Sequence, residues 1–161
     1  MKVLKKAAYK KVEKRSPYLF PGVLIQEQLP TEWHILVAAI LLNQSRRSTA
    51  WDNTLYRLFE LWPTPEALAK SSPELEQLLQ PFGFQNVKAR RLRRMCAEYL
   101  EWDGVDAKKL YGVGNYAYDA HRIFVKGERP DPDTVKDGHL TKFLKYDWTE
   151  EELQTRKSVG L

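Results

Sequence analysis

Apolar side chains recur along this chain at intervals of three and four, the spacing of helices that bury one face. Leu24, Ile25 and Gln28 lead to a break at Pro30, and Thr31 then stands as the N-cap of a helix through Trp33, Ile35, Leu36, Ala39, Ile40 and Leu42. That stretch is apolar nearly all round, which predicts a central element. A further helix is expected over 48–62, carried by Trp51, Leu55, Leu58, Phe59 and Trp62 and ended by Pro63-Thr64-Pro65. Thr64-Pro65 and Ser72-Pro73 each pair a capping residue with a proline at the first helical position, predicting two short helices, the second stopped by Gly83. Asn86 opens a longer helix, with Ala89, Leu92, Cys96 and Tyr99 on one face and Lys88, Arg90, Arg91, Arg93 and Arg94 on the others, read as solvated. After Gly104 come Leu110 to Tyr116, a helix to Val125, a polar loop over 126–135, a helix after Asp137, and a last helix opened by a Thr149/Glu152 capping box. No segment alternates with the period of a strand and none repeats, so the fold class is all-α.

Composition narrows the picture. The 161 residues suffice for one compact domain, expected over 16–161, preceded by a basic arm at 1–15 that holds seven lysines and arginines and reads equally as a solvated tail or a DNA contact. An excess of 26 basic over 21 acidic residues, a net charge of +5, suits a polyanionic partner such as nucleic acid. Cys96 is the single cysteine, which excludes an internal disulfide and a four-cysteine iron–sulfur site within the chain. It also points to the nucleus of a eukaryote, or the cytoplasm and nucleoid of a prokaryote, rather than to secretion. Three histidines without ligand spacing, among them His139, give no reason to expect a metal.

The segment Gly112-Val113-Gly114-Asn115 carries more information. Two glycines around one apolar residue permit dihedrals closed to other residues, let a phosphate approach the backbone, and leave Val113 to anchor the turn in the core. The helix beginning at Asn115 adds an attractive dipole. A plain helix–helix connector would use the same pattern, so the context decides. The run Leu110 to Ala117 resembles the hairpin of the helix-hairpin-helix DNA glycosylase superfamily, which includes endonuclease III and the adenine mismatch glycosylases. An aspartate followed shortly by histidine at a helix start, as in Asp137-Gly138-His139, is a second point of similarity. Ser16-Pro17-Tyr18, Leu24-Ile25-Gln26-Glu27, Leu41-Leu42-Asn43, Leu79 to Phe84, Asp119 and Arg122-Ile123-Phe124 extend the resemblance to one branch, the glycosylase domains of methyl-CpG-binding, mismatch-specific thymine/uracil enzymes.

That resemblance implies a two-lobed helical fold with its active site in the cleft between lobes, and a monomer that flips a thymine or uracil out of duplex DNA opposite guanine. It implies that Asp137 stabilises the sugar cation formed as the glycosidic bond breaks, and that Tyr116 and Gln26 line the base pocket. Bifunctional relatives place a lysine where this chain has Tyr116, so base removal without strand cutting is implied, with no cofactor. Gln44 and Phe84 occupy the places of side chains that fill the vacated stack. The mismatch branch usually carries arginine where Gln44 stands, whereas endonuclease III has glutamine. From residue type alone, Phe84 is equally a buried contact at a helix end, Tyr116 has a packing residue as its alternative reading, and Asp137 can cap a helix and serve the chemistry at once. Asp131 and Asp133 lie nearby in the polar loop, with no helical run after them. Another lesion on the same scaffold, or a non-catalytic DNA-binding module, are the competing functions.

Overall fold

The computed structural model describes residues 23–43 and 45–158. The basic arm at 1–15 and Gln44 lie outside the described residues. Every regular element among the described residues is helical: α1 (Ile25–Gln28), α2 (Glu32–Leu42), α3 (Thr49–Leu61), α4 (Pro65–Ala69), α5 (Glu74–Leu79), α6 (Gln85–Tyr99), α7 (Asn115–Phe124), α8 (Gly138–Leu144) and α9 (Glu150–Ser158), with single 3-10 turns at Gln80–Phe82, Ala107–Lys109 and Pro132–Thr134. The all-α expectation is met, and none of these helices is long and apolar enough to cross a membrane.

Local chemistry accounts for most of the boundaries. Ser48 caps α3 by accepting from Trp51 N at 3.1 Å, and Thr64 caps α4, as the sequence predicts for it, by accepting from Ala67 N at 3.1 Å. Thr149 and Glu152 close the expected reciprocal box at the head of α9. One boundary differs. Helix α5 begins at Glu74 with Pro73 itself at the cap and no side-chain cap bond, so the Ser72-Pro73 pair does not work as predicted.

The described backbone forms two compact units, one within Leu36–Tyr118 and the other made of the described residues up to Ile35 together with those from Asp119 onward. In the first, α4 and α5 pack on α6, and α3 on α5, around buried Leu36, Trp51, Leu55, Leu58, Leu68, Leu75, Leu79, Leu92 and Met95. Cys96 is buried in α6. The second unit holds a smaller, more aromatic cluster: Phe143 lies 5.0 Å from Phe124 and 5.6 Å from Trp148, ring centre to ring centre. The buried polar side chains described in this unit are paired, as the cost of burying an unpaired one demands. His121 is buried, its Nε2 2.8 Å from Glu32 Oε2. Asp119 and Arg122, one helical turn apart, form an ion pair.

Candidate active site

The hairpin between the Ala107–Lys109 turn and α7 is built as a tight double turn. Leu110 N donates to Ala107 O at 3.0 Å and Val113 N to Leu110 O at 3.2 Å, and Gly112 sits at φ +84°. Only Gly112 uses the left-handed conformation; Gly114, for which the same freedom was expected, does not. A Cβ on Gly112 would lie 3.3 Å from Arg91 Cβ and near Ile40, whereas one on Gly114 would meet nothing within 4 Å. The two glycines therefore have different reasons: the first closes the turn against α6 and α2, the second leaves the exposed backbone bare. Val113 is only half-buried, and the core anchor of the turn is Leu110, 3% exposed.

Helix α6 braces this hairpin. Glu98 accepts from Tyr111 N at 2.8 Å through one oxygen and from Arg94 Nε at 3.1 Å through the other. The Arg94 guanidinium stands 4.0 Å over the Tyr111 ring. No acidic residue occupies the first turn of α7, so its unladdered N–H groups face no side-chain anion of their own turn. Asn115 is exposed there and Tyr116 half-buried.

Phe84 lies at the other end of α6, 67% exposed and at φ 50°, ψ 38°, the one described non-glycine residue with positive φ. Its exposure removes the reading of a buried helix-end contact. A phenylalanine held left-handed costs on the order of 1 kcal/mol, with no burial to offset it. The turn that presents it is tied down by Lys88. Sequence pattern put Lys88 on a solvated face, but it is 1% exposed, with Nζ donating to Phe82 O at 2.9 Å. Burial, and then the neighbouring Arg91, lower the pKa of Lys88.

Asp137 caps α8: Oδ2 accepts from Leu140 N at 2.9 Å, and its carbonyl accepts from Thr141 N at 2.9 Å and Thr141 Oγ1 at 2.8 Å. The side chain is half-buried, fixed by one oxygen. Asp131 does cap a short element, contrary to the expectation that no helical turn follows it: its Oδ1 accepts from Asp133 N at the head of the Pro132–Thr134 turn. Asp131 and Asp133 are both exposed. Gln26 is 3% exposed on α1. Gln26 and Asp137 thus belong to one unit, and Phe84, Gly112 to Asn115 and Tyr116 to the other. Among the described residues no cluster of histidine, cysteine and carboxylate side chains could hold a metal ion.

Over residues 37–160 the sequence matches the HhH-GPD superfamily base excision DNA repair proteins. The chain belongs to that superfamily. Among HhH-GPD relatives, it is 30% identical over 139 residues to the methyl-CpG-binding domain protein 4-like protein of Arabidopsis thaliana, covering 85% of this chain and 29% of the relative. It is 32% identical over 109 residues to the thymine/uracil-DNA glycosylase of Pyrobaculum aerophilum, covering 62% of this chain and 46% of the relative. The chain therefore spans less than half the length of either. Two endonuclease III structures share the HhH-GPD fold: one trapped as a DNA covalent intermediate, with TM-score 0.60 and 20% identity over 97% of this chain and 84% of that one, and one in a non-covalent DNA complex, with TM-score 0.57 and 18% identity over 97% and 83%.

The two hairpin glycines of this HhH-GPD chain make a paired prediction. Gly114→Ala is expected to fold as wild type and to lower duplex DNA affinity about tenfold, the loss of one hydrogen bond to a charged group. Gly112→Ala forces a Cβ into the left-handed region and is expected to cost roughly 1–2 kcal/mol of stability. Thermal melting and fluorescence-anisotropy titration of each variant separate the two effects; equal stability losses would contradict the assignment.

Proposed function

We propose that the chain is a monofunctional DNA N-glycosylase that acts as a monomer, releasing thymine or uracil opposite guanine. The observation that carries this reading is Asp137: a half-buried carboxylate held through one oxygen by the head of α8, in the superfamily place of the essential aspartate. As the bond between the sugar carbon and the base nitrogen breaks, the electron pair leaves with the base and positive charge grows on the sugar. A fixed carboxylate stabilises that charge and orients the water that attacks the same carbon, giving a free base and an abasic site. One proton of the water stays on the new hydroxyl, and the other passes by way of the carboxylate or solvent to the departing base anion.

Tyr116 stands where bifunctional relatives carry a lysine, and a phenol forms no Schiff base, so the abasic strand stays intact. The Gln26 amide and the Tyr116 hydroxyl have the donors and acceptors to read a pyrimidine edge. Gln44 and Phe84 fill the space of the flipped nucleotide, and the Phe84 ring replaces base stacking with apolar contact. The name of the Pyrobaculum relative supports the choice of thymine and uracil.

The test is a panel of duplexes holding G·T, G·U, an oxidised pyrimidine or mismatched adenine, with strand cutting measured before and after alkali. Cutting of G·T and G·U duplexes after alkali alone is expected. Strand cutting before alkali, or release confined to the other lesions, would overturn the assignment. Phe84→Asn supplies a second check. Asparagine tolerates the left-handed backbone, so this variant is expected to melt no lower than wild type, and up to about 1 kcal/mol more stable, while excising uracil more slowly. An unchanged excision rate would rule Phe84 out as the wedge.

A further inference from the structure

Helix α1 is a single turn of four residues, all of them buried. A turn of that length does not persist by itself, because its first hydrogen bond fixes several dihedrals at once. Side chains hold it in place. Glu27 Oε2 accepts from Leu24 N at 2.7 Å, and the two carboxylate oxygens accept from Arg156 Nε at 2.6 Å and from its terminal nitrogen at 2.7 Å. Arg156 is 1% exposed and Glu27 4%. The guanidinium stands 4.2 Å over the Trp148 ring, and Trp148 Nε1 donates to Phe143 O at 2.8 Å. Helix α9 is thereby fixed to α8 through Trp148 and to α1 through Glu27.

A buried ion pair is a poor source of net stability, since apolar side chains of equal volume do as well. What a two-pronged guanidinium–carboxylate contact supplies is direction. Glu27 follows Gln26 on the same helical turn, so their side chains diverge by about 100°, and fixing the one fixes the other. We propose that Arg156 is a positioning residue for base recognition, acting through Glu27 to hold Gln26 in the orientation that reads the pyrimidine. This rests on the reading of Gln26 as a base-pocket residue.

Single-turnover excision from a G·U duplex, with enzyme in saturating excess, reports only on folded, bound complexes and is not moved by a loss of stability alone. Arg156→Lys keeps the charge and removes the fork. It is expected to slow excision about tenfold to a hundredfold in the wild-type background, the scale of an ångström-level misplacement, and to cost nothing further in Gln26→Ala. If Arg156→Lys does not fold by circular dichroism, Glu27→Gln/Arg156→Met, which removes both charges together, carries the same comparison. The same factor in both backgrounds, or no slowing in either, overturns the positioning role alone. If Gln26→Ala excises as wild type, the base-pocket reading of Gln26 falls, and the inference with it. A wild-type chain that releases no base overturns the glycosylase reading itself.

Discussion

Asp137→Asn is expected to slow excision from a G·U duplex by about a hundredfold to a thousandfold, the scale for removing one preorganised electrostatic group from a developing charge. The fold should hardly register the change. Asparagine is as good an N-cap as aspartate, and its side-chain oxygen can accept from Leu140 N as Asp137 Oδ2 does at 2.9 Å. Duplex affinity and melting temperature should therefore stay near wild type while the single-turnover rate collapses. Asp131→Asn and Asp133→Asn serve as controls: both residues are exposed, and Asp131 is spent on the Pro132–Thr134 turn, so neither should slow excision. Wild-type cutting by Asp137→Asn, or a matching loss in either control, would remove Asp137 from the mechanism.

The largest stability effect is expected at the Glu27–Arg156 pair. Arg156→Met removes both guanidinium contacts from the buried Glu27 carboxylate, and breaking a buried pair in this way costs about 3–5 kcal/mol. For a chain of this length that lowers the melting temperature by roughly 6–20 °C. Adding Glu27→Gln removes the stranded charge, so the double variant should recover most of the loss. Melting curves of the two singles and the double test this directly. Additive losses would mean that the two side chains are not coupled as the 2.6 Å and 2.7 Å contacts require.

These two sites differ in how far the sequence discloses them. Asp137 is legible because its evident job is local: a capping side chain reaches three residues ahead, so position and residue type suffice to propose it. The hairpin is legible for the same reason, with Leu110, Gly112 and Val113 closing a turn within a few residues. Even so, residue type treated the two glycines alike, and the backbone separates them: Gly112 is needed for its φ of +84° and Gly114 for its bare surface. The burial of Lys88 is not legible in this way, because a lysine in a helix follows the rule of solvated charges until its neighbours are known. The left-handed backbone at Phe84 has no residue-level signal, since phenylalanine is among the residues least expected there.

What the sequence by itself determined is the set of helices, several of their caps, the hairpin and the carboxylate at the head of α8, all products of interactions spanning a turn or two of chain. The tertiary structure decided which polar groups leave water. Glu27 meets Arg156 across 129 residues, and Glu32 meets His121 across 89. Desolvation and ion pairing depend on what chain folding brings alongside, and no local periodicity encodes that. The orientation of Gln26 on its one-turn helix belongs to this second class, because a turn too short to sustain itself takes its position from the side chains packed around it.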